Sequence, residues 1–490
     1  MNAALNQRRA GVLLHITSLP SRDLGRDAYQ FIDFLKEAGA TVWQVLPLGI
    51  THEDGSPYQS LSAHAGNPAL ISAHSLVNEG WLDADEHCET CSNHSKFHRD
   101  CLLSKAFSGF SAKATAEEKA SFLHFCETNH FWLDDFAMFM VLRQKFNNKG
   151  WNDWTDDFKN RNLAALNDVR FFLKSLLETV KFEQYVFFKQ WSALKTYANE
   201  RGILLFGDMP IFVSYDSADV WANRDVFKLT PEGNMSIVAG VPPDYFSETG
   251  QRWGNPHYDW DYLQSTNFTW WLQRMKTQTA LFDIVRIDHF RGLEAAWEIP
   301  ENEPTAINGE WVKAAGEALL TAIYTEFCDV QLIAEDLGII TPEVDALRAQ
   351  FNLPGMKIMQ FAFSGDADNP YLPENHEANS VVYTGTHDND TTVGWVQKLT
   401  HEERTFVCKT LAITEDVNIA TALAKSVLAS VANLAILPMQ DILELDSENR
   451  MNIPGTTAGN WQWHFQWKQL SDEKLSRLSH WIERSNRSFQ

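Results

Sequence analysis

The run Phe282-Asp-Ile-Val-Arg-Ile-Asp288 is one of eight short segments rich in apolar or β-branched residues, separated by longer polar or helical stretches. The other seven are Gly11–Ile16, Thr41–Leu46, Ile203–Met209, Gln331–Glu335, Met356–Phe363, Val381–Thr386 and Asn433–Met439. Eight strands alternating with helices are what a closed parallel sheet requires. We therefore predict an α/β protein whose fold is a (β/α)8 TIM barrel.

Helical patterns between these runs favour the same architecture. We expect crossover helices at Ala28–Ala38, Phe182–Glu200 and Trp311–Phe327. A doubly wound sheet is the alternative for alternating strands and helices. It would need a phosphate-binding glycine loop after an early strand, and neither G-x-G-x-x-G nor G-x-x-x-x-G-K-[ST] occurs.

The chain of 490 residues is about twice the usual size of one core, unless the fold tolerates large loop insertions, as barrels do. We predict a single catalytic domain, 1–490, with two insertions over the carboxyl-terminal face of the barrel. The first, at about 51–181, reads as largely helical, with Phe122–Phe146 as an example. The second, at about 212–280, is rich in Gly, Pro, Asp and aromatic residues and reads as a substrate-binding loop region.

Charge and hydropathy exclude several classes of partner. Lys and Arg number 41 and Asp and Glu 64, so the net charge is 41 − 64 = −23, which repels nucleic acid and anionic membrane surfaces. An uncharged ligand such as a sugar is compatible with this balance. The start of the chain has no signal-peptide pattern and no apolar stretch approaches about 20 residues, so we expect a cytoplasmic protein.

Six cysteines in a chain of this length do not form a disulfide framework. Cys328 and Cys408 stand in apolar surroundings and are expected to be buried reduced thiols. Between residues 87 and 101, six Cys and His residues occur close together, which leaves a structural zinc as an alternative. The usual second C-x-x-C is missing, so we predict no metal.

Three carboxylates follow strands that a barrel brings to one mouth: Asp288, Glu335 and Asp388. Arg286 alternates with Asp288 along its strand, so both side chains face the interior. A structural salt bridge would explain that pair alone. Three like charges in one ring, however, raise one another's pKa, which an acid/base site requires.

Retaining cleavage of a glycosidic bond needs a nucleophilic carboxylate and an acid about 5 Å apart. Asp288 and Glu335, on neighbouring strands, suit that distance. We assign Asp288 as nucleophile, because Arg286 should hold it ionised, and Glu335 as general acid and then base. Asp388 and His387 are expected to bind hydroxyl groups of the sugar.

Several stretches of the chain resemble the signature segments of the amylomaltase or disproportionating-enzyme family, the 4-α-glucanotransferases of glycoside hydrolase family 77, related to the α-amylase group. They are Arg286-Ile-Asp-His-Phe-Arg-Gly292, Ala334-Glu-Asp-Leu-Gly338, Gly385-Thr-His-Asp-Asn-Asp-Thr391, Gly55-Ser-Pro-Tyr-Gln59, Gly207-Asp-Met-Pro-Ile211, Val241-Pro-Pro-Asp-Tyr-Phe-Ser247, Gly250-Gln-Arg-Trp-Gly-Asn-Pro256 and Arg450-Met-Asn-Ile-Pro-Gly-Thr456. The similarity therefore covers nearly the whole chain.

The resemblance implies nucleophile Asp288, acid/base Glu335 and transition-state stabiliser Asp388. It also implies that maltooligosaccharides and α-1,4-glucans are the substrates and that no cofactor is needed. Oligomeric state stays open between a monomer and a weak homodimer. The substrate-binding residues that it implies are Tyr58, Asp208, Asp244, Tyr245, Phe246, Trp253, Arg286, His289, His387 and Asn460.

Two departures from the family pattern occur at the edge of the expected site. Ser21-Arg-Asp-Leu-Gly25 replaces a glycine-rich stretch, and His464 stands where arginine is expected. Neither affects the three carboxylates. Residue types do not separate transfer from hydrolysis, because water and sugar attack the same intermediate. An α-1,4-glucan hydrolase of the α-amylase group is therefore the nearer alternative, and a catalytically inactive glucan-binding protein the more distant one.

Overall fold

The structure is a computed structural model that describes residues 5–83, 96–243 and 247–488, with only the backbone given for residues 96–100. The strands in these residues are β1 (Arg9–Leu13), β2 (Val42–Gln44), β3 (Leu204–Pro210), β4 (Ile237–Val241), β5 (Gln251–Arg252), β6 (Ile284–Asp288), β7 (Ala295–Pro300), β8 (Glu310–Lys313), β9 (Leu332–Ala334), β10 (Gly355–Ile358), β11 (Ser380–Tyr383) and β12 (Leu434–Pro438).

The helices that accompany them surround the sheet and fill its connections. They are α1 (Arg26–Ala38), α2 (Ala73–Asn78), α3 (Lys96–Lys113), α4 (Ala116–Thr128), α5 (His130–Lys145), α6 (Asp156–Lys159), α7 (Leu163–Phe172), α8 (Lys174–Asn199), α9 (Ala218–Ala222), α10 (Trp260–Ser265), α11 (Thr269–Leu281), α12 (Gly316–Glu326), α13 (Pro342–Gln350), α14 (Thr392–Lys398), α15 (His401–Thr410), α16 (Ile419–Ala429), α17 (Met439–Ile442) and α18 (Asp472–Arg484).

Eight parallel strands form one sheet in the order β10-β11-β12-β1-β2-β3-β6-β9. Its two ends, β9 and β10, meet where the amide of Ala334 donates a hydrogen bond of 2.9 Å to the carbonyl of Pro354. We call this junction the seam. The side chain of Asp336 reinforces it by accepting a bond of 2.6 Å from the amide of Met356. The predicted (β/α)8 barrel is confirmed, and each of the eight predicted runs overlaps one of its strands.

Side chains inside the barrel form a compact apolar floor beneath its mouth. The largest of them include Leu46, Phe206, Met356 and Tyr383, all buried. The strands alternate, so the residues that do not face this floor pack outward against the helices. An apolar floor of this kind lowers the local dielectric and strengthens the charge interactions at the strand ends above it.

The three predicted crossover helices correspond to α1, α8 and α12, with one correction. Trp311 was expected to begin the third helix, but residues 310–313 form β8 and the helix begins at Gly316. Trp311 pairs with Trp297 across an antiparallel ladder, with their ring centroids 5.3 Å apart. This cross-strand contact between two large rings outweighs the helical pattern of the sequence.

A second sheet, which was not predicted from the sequence, lies in the connections that follow β3 and β6. It is antiparallel and has the order β5-β4-β7-β8. Residues 212–280, read as a loop region, thus contain two strands together with α9, α10 and α11. Residues 51–181 contain α2 to α7 and the start of α8. The division into one domain with two insertions stays a prediction.

Other expectations have mixed outcomes. Cys408 is buried, but Cys328 is exposed, so the prediction of a buried thiol is wrong there. Phe327 and Val330 turn inward on either side and leave Cys328 facing solvent. The possible zinc ligands at 87–94 and the side chain at 98 lie outside the described residues. No helix within the described ranges is long and apolar enough to cross a membrane.

Candidate active site

The three predicted carboxylates follow strands β6, β9 and β11 at the same end of the barrel. Asp288 is the last residue of β6, and Glu335 comes directly after β9. These two strands pair in parallel, with Ile287 opposite Ala334, so the two carboxylates occupy adjacent register positions. Neighbouring strands lie about 4.8 Å apart, a spacing that matches the separation of about 5 Å in retaining glycosidases. Asp388 approaches from the loop after β11.

Arg286 is the charged centre of the site. Its Nη1 atom donates to both carboxylate oxygens of Asp208, at 2.7 Å each, and its Nη2 atom lies 2.9 Å from Oδ1 of Asp288. The register explains this arrangement, because β3 and β6 pair with Asp208 opposite Arg286. One guanidinium therefore neutralises part of the charge of two carboxylates at once.

Asp208 is the most deeply placed of these groups. Its side chain is fully buried, and Tyr58 donates a hydrogen bond of 2.8 Å from its hydroxyl group to Oδ2. Both oxygens are thus occupied by Arg286 and Tyr58. In this structure, Asp208 contacts those two residues rather than the open site.

Burial has the largest effect on the ionisation of the adjacent pair. It raises the pKa of Asp288 to about 6, although the nearby charge of Arg286 acts to lower it. Burial also raises the pKa of Glu335 to about 7, and the charge of Asp288 adds to the effect. Arg286 therefore favours ionised Asp288, as expected, but burial outweighs it. The order of the two values still suits a nucleophile beside a general acid.

The carboxyl group of Glu335 is held by the backbone around it. Oε2 accepts a bond of 2.7 Å from the amide of His289, and Oε1 accepts one of 3.0 Å from the amide of Leu337. The amide of Glu335 itself donates to the carbonyl of Ile287 at 3.0 Å. His289 adopts a left-handed conformation, with φ of 54°, which turns its amide towards Glu335. Such backbone strain is frequent at functional sites.

Asp388 differs from the other two carboxylates because 48% of its side chain is exposed. Its Oδ2 atom lies 3.3 Å from Nε2 of His387, and its Oδ1 atom accepts a bond of 2.6 Å from the side-chain amide of Asn452. Partial burial acts to raise the pKa of Asp388, but His387, together with Asn452 and then Arg286, lowers it to about 2. Asp388 is therefore ionised near neutral pH.

Aromatic rings line one side of the mouth. Tyr58 stacks on His387 with ring centroids 5.2 Å apart and planes 15° from parallel. Trp461 lies against both rings, at 6.0 Å from Tyr58 and 5.9 Å from His387. Asp388 raises the pKa of His387, although burial of the ring opposes this.

On another side, Trp253 meets His289 edge to face, with centroids 4.8 Å apart. Burial lowers the pKa of His289 to about 3, so its ring is neutral. Its Nε2 atom is buried and has no hydrogen-bond partner among the described residues. A neutral imidazole with a free nitrogen beside an aromatic ring suits a polar, uncharged ligand.

The remaining predicted substrate-binding residues are Asn460, Asp244, Tyr245 and Phe246. Asn460 bonds within its own loop, where Oδ1 accepts from the amide of Ile453 at 3.0 Å and Nδ2 donates to the carbonyl of Thr456 at 3.0 Å. It thus closes the loop 453–460. Residues Asp244, Tyr245 and Phe246 lie outside the described residues.

The sequence alone gave no role in the site to Arg450, Asn452 or Trp461. Arg450 donates from Nη2 to the carbonyl of Asp388 at 2.8 Å, so two residues of one segment hold this aspartate. For Arg450 and Asn452 the available signal was the quoted segment Arg450–Thr456, whose polar residues had no role assigned. Within the described part of the chain, no group of three His, Cys, Asp or Glu side chains is placed to hold a metal ion.

The two departures from the family pattern meet in space. Arg22 donates from Nη2 to Nδ1 of His464 at 2.6 Å, although 442 positions separate them. Arg22 has φ of 58°, a left-handed conformation in the altered stretch 21–25. A guanidinium from the start of the chain thus lies beside the position where an arginine was expected.

Comparison with known proteins identifies the family of this chain. The model of glycoside hydrolase family 77, described as 4-alpha-glucanotransferase, matches residues 14–470. The chain belongs to this family. A 4-alpha-glucanotransferase of Thermus thermophilus is 47% identical over 98% of this chain and 99% of its own length. The chloroplastic/amyloplastic 4-alpha-glucanotransferase of Solanum tuberosum is 45% identical over 94% of this chain and 82% of its own.

A solved structure of the same glycoside hydrolase family 77 group has the same fold along its whole length. Amylomaltase from Streptococcus agalactiae, solved in complex with acarbose, superposes with a TM-score of 0.94 at 37% sequence identity. The match covers 99% of this chain and 100% of that one. The 4-alpha-glucanotransferase fold therefore accounts for the entire described chain, with the three carboxylates at the mouth of its barrel.

Proposed function

We propose that this protein is a 4-α-glucanotransferase that moves a segment of a 1,4-α-D-glucan to the 4-position of glucose or of another 1,4-α-glucan. The reaction is a retaining double displacement through a covalent glycosyl-aspartate. The observation that carries the proposal is that Asp288 and Glu335 lie side by side at the ends of adjacent strands, with Arg286 in contact with Asp288. The family to which the chain belongs supports the same activity.

In the first step Glu335 acts as the acid. It gives its proton to the glycosidic oxygen while a carboxylate oxygen of Asp288 attacks C1 of the donor sugar. The C1–O bond to the leaving chain breaks, and that chain departs with a free 4-hydroxyl group. A pKa of Glu335 near 7, raised by burial, keeps this proton available close to neutral pH.

In the second step the roles reverse. The 4-hydroxyl group of an acceptor sugar attacks C1, and ionised Glu335 takes its proton. The bond between C1 and Asp288 breaks, which restores the carboxylate beside Arg286. Two inversions at C1 give net retention of the α configuration.

Residues around the pair bind the sugar at the cleavage point. Tyr58 forms a platform under the sugar ring, and His387 and Asp388 form hydrogen bonds with its hydroxyl groups. These bonds are strongest when the sugar ring flattens in the transition state. The negative charge of Asp388 also stabilises the positive charge that develops on the sugar. Asp208 contributes through its bonds to Arg286 and Tyr58, whose positions it fixes.

Further residues lie along the bound glucan in this proposal. Trp253 offers an apolar face for a sugar ring, and His289, which meets it edge to face at 4.8 Å, binds the glucan beside it. Asp244, Tyr245 and Phe246 contact the chain beyond, and Asn460 supports the loop 453–460 that borders it. We further propose that Tyr245 and Phe246 shield the intermediate from water until an acceptor arrives, which favours transfer over hydrolysis.

The first test is incubation of the purified protein with maltotriose, without metals or nucleotides. Transfer gives a ladder of shorter and longer maltooligosaccharides while the number of reducing ends stays constant. Rising reducing ends would instead mean hydrolysis, and no change would mean that the protein only binds glucan.

A pair of variants assigns the roles within the same assay. Asp288→Asn should lose nearly all activity while still binding glucan, because an amide is a far weaker nucleophile than a carboxylate. Glu335→Gln should lose activity on maltotriose but retain more on a donor such as a maltosyl fluoride, whose leaving group needs no proton. An active Asp288→Asn variant would refute the assignment of the nucleophile.

A further inference from the structure

Asn452 lies at the edge of the site and makes one notable contact. Its side-chain amide donates a bond of 2.6 Å to Oδ1 of Asp388, across 64 positions of sequence. Of the three carboxylates Asp288, Glu335 and Asp388, only Asp388 has an exposed side chain. Packing of the surrounding fold therefore does not fix its carboxyl group. Contacts such as this one must fix it instead.

The two oxygens of Asp388 are held from different directions. Oδ1 accepts from Asn452, and Oδ2 faces Nε2 of His387 at 3.3 Å. The torsion that rotates a carboxylate about its last bond has broad minima, so a lone carboxylate turns easily. Two donors from separate segments of the chain define its plane.

Arg450 ties the segment that carries Asn452 to the loop that carries Asp388. Its Nη2 atom donates to the carbonyl of Asp388 at 2.8 Å, and its Nε atom donates to the carbonyl of Asn452 at 3.2 Å. Both backbones are therefore fixed by one guanidinium. On the far side, Asp390 accepts a bond of 2.8 Å from the hydroxyl group of Ser447, which joins the same two segments again.

Asn452 begins a loop that is otherwise exposed. Residues 453–459 are all exposed, and Gly455 and Gly459 have φ of 80° and 82°. At the base of the loop, Asn460 accepts from the amide of Ile453 at 3.0 Å. Asn452 itself is half-buried against Asp388, so it stands at the fixed end of the loop rather than in the exposed part.

We propose that Asn452 is a positioning residue that orients the carboxylate of Asp388 for both displacement steps. The inference rests on the proposed function, since it gives Asp388 a partner in the same reaction. A neutral amide suits this task because it donates to one oxygen while the remaining lone pairs stay free for sugar hydroxyl groups. An aspartate in its place would repel Asp388 instead.

Removal of this bond should affect the transition state more than substrate binding. A group displaced by about 1 Å from its working position can cost on the order of 100-fold in rate. We expect Asn452→Ala to lower kcat for maltotriose by about 10- to 100-fold and to change KM by less than about threefold, because the platform and the pair Asp288–Glu335 remain in place.

Asn452→Asp is the sharper variant, because it keeps the shape of the side chain and removes its donor. Near pH 7 two carboxylates would face each other between His387 and Arg450, with Arg286 further inside, and kcat should fall below that of Asn452→Ala. As the pH falls, the two carboxylates share a proton, and the shared proton restores a hydrogen bond between them. The ratio of variant to wild-type kcat should therefore rise from pH 7.5 to pH 5.

This ratio removes the pH dependence that both proteins share through Asp288 and Glu335. Asn452→Ala has no group to titrate, so its ratio to wild type should stay flat over the same range. Asn379→Ala is the matched control, because the side-chain amide of Asn379 donates to the carbonyl of Asn352 at 3.3 Å just before β11, at the opposite end of that strand from the loop that carries Asp388. Its kcat and KM should stay within about twofold of wild type.

The outcomes separate the inference from the function on which it rests. Wild-type protein that does not convert maltotriose would refute the proposed function. Active wild type with kcat of both Asn452 variants within twofold would refute only the positioning role. A rise in KM equal to the loss in kcat/KM, or a flat pH ratio for Asn452→Asp, would also overturn it, since either would mean general loop damage.

Discussion

Replacement of Arg286 by lysine tests how the site sets the ionisation of its two central carboxylates. The guanidinium contacts Asp208 and Asp288 together, whereas an ammonium is a single point charge and cannot bond to both in a fork. The buried side chain of Asp208, with two contacts of 2.7 Å, should retain the lysine. Asp288 then loses its partner while it stays buried.

The size of the effect follows from the pKa values. Burial raises and Arg286 lowers the pKa of each carboxyl group, and the net values are about 6 for Asp288 and about 7 for Glu335, so wild-type activity should peak between them. Loss of a close opposite charge raises a buried carboxyl pKa by about one to two units. At pH 6.5 the ionised fraction of Asp288 then falls from about three quarters to between about a quarter and a thirtieth.

The sign is therefore definite: the whole bell-shaped profile should move to higher pH. Below the folded pKa of Asp288 the proposed nucleophile is protonated, and above that of Glu335 the proposed acid has lost its proton. Both limits rise together. The measurement is kcat/KM for maltotriose from pH 4.5 to pH 9, which reports the free enzyme. Arg404→Lys, on α15, is the control and should keep the wild-type profile. An unshifted Arg286→Lys profile with a rate within twofold at pH 6.5 would refute the reasoning.

Two further predictions concern the fold. Arg487 is fully buried and donates to five backbone carbonyls at 2.6–3.1 Å. Arg487→Met should therefore lower the free energy of unfolding by about 3 kcal/mol or more. The variant should be inactivated at a lower temperature than wild type while its activity below that temperature stays normal. Gly207→Ala should destabilise by about 1–3 kcal/mol, because the new methyl group would lie 2.2 Å from the Phe282 ring. An unchanged melting temperature in either variant would contradict its prediction.

The barrel strands could be predicted from the sequence because each is buried on both sides. Such strands consist of short apolar runs, and charged residues stand out at their ends, as Asp288 and Glu335 do. The second sheet gave no comparable signal. Its strand β5 has two residues, both exposed, and Trp311 on β8 sits in sequence that also fits a helix. Its strands form because they pair with one another, and that pairing is not encoded locally.

The same distinction applies to the site. Asp288, Glu335 and Asp388 could be located because strand ends of a barrel converge by geometry alone. The contacts of Asn452 depend on how a late loop folds back over the mouth, and polar residues in an exposed loop give no local sign of such a return. Asp208 was recognised, but its complete burial under Arg286 follows from the register of β3 and β6.

Among the eight described strands of the barrel, β9 and β10 at the seam are the only neighbours without a ladder of paired residues between them. Elsewhere each strand pairs with the next through a ladder in register, but here one backbone bond from Ala334 and one side-chain bond to Asp336 span the junction. The barrel is therefore a curved ribbon of eight strands, continuous from β10 to β9, whose two edges meet at the seam. Glu335 lies between these two residues at one edge of the ribbon, so its position depends on the bonds that tie it to Ile287, His289 and Leu337, while Asp288 stands within the continuous part of the ribbon.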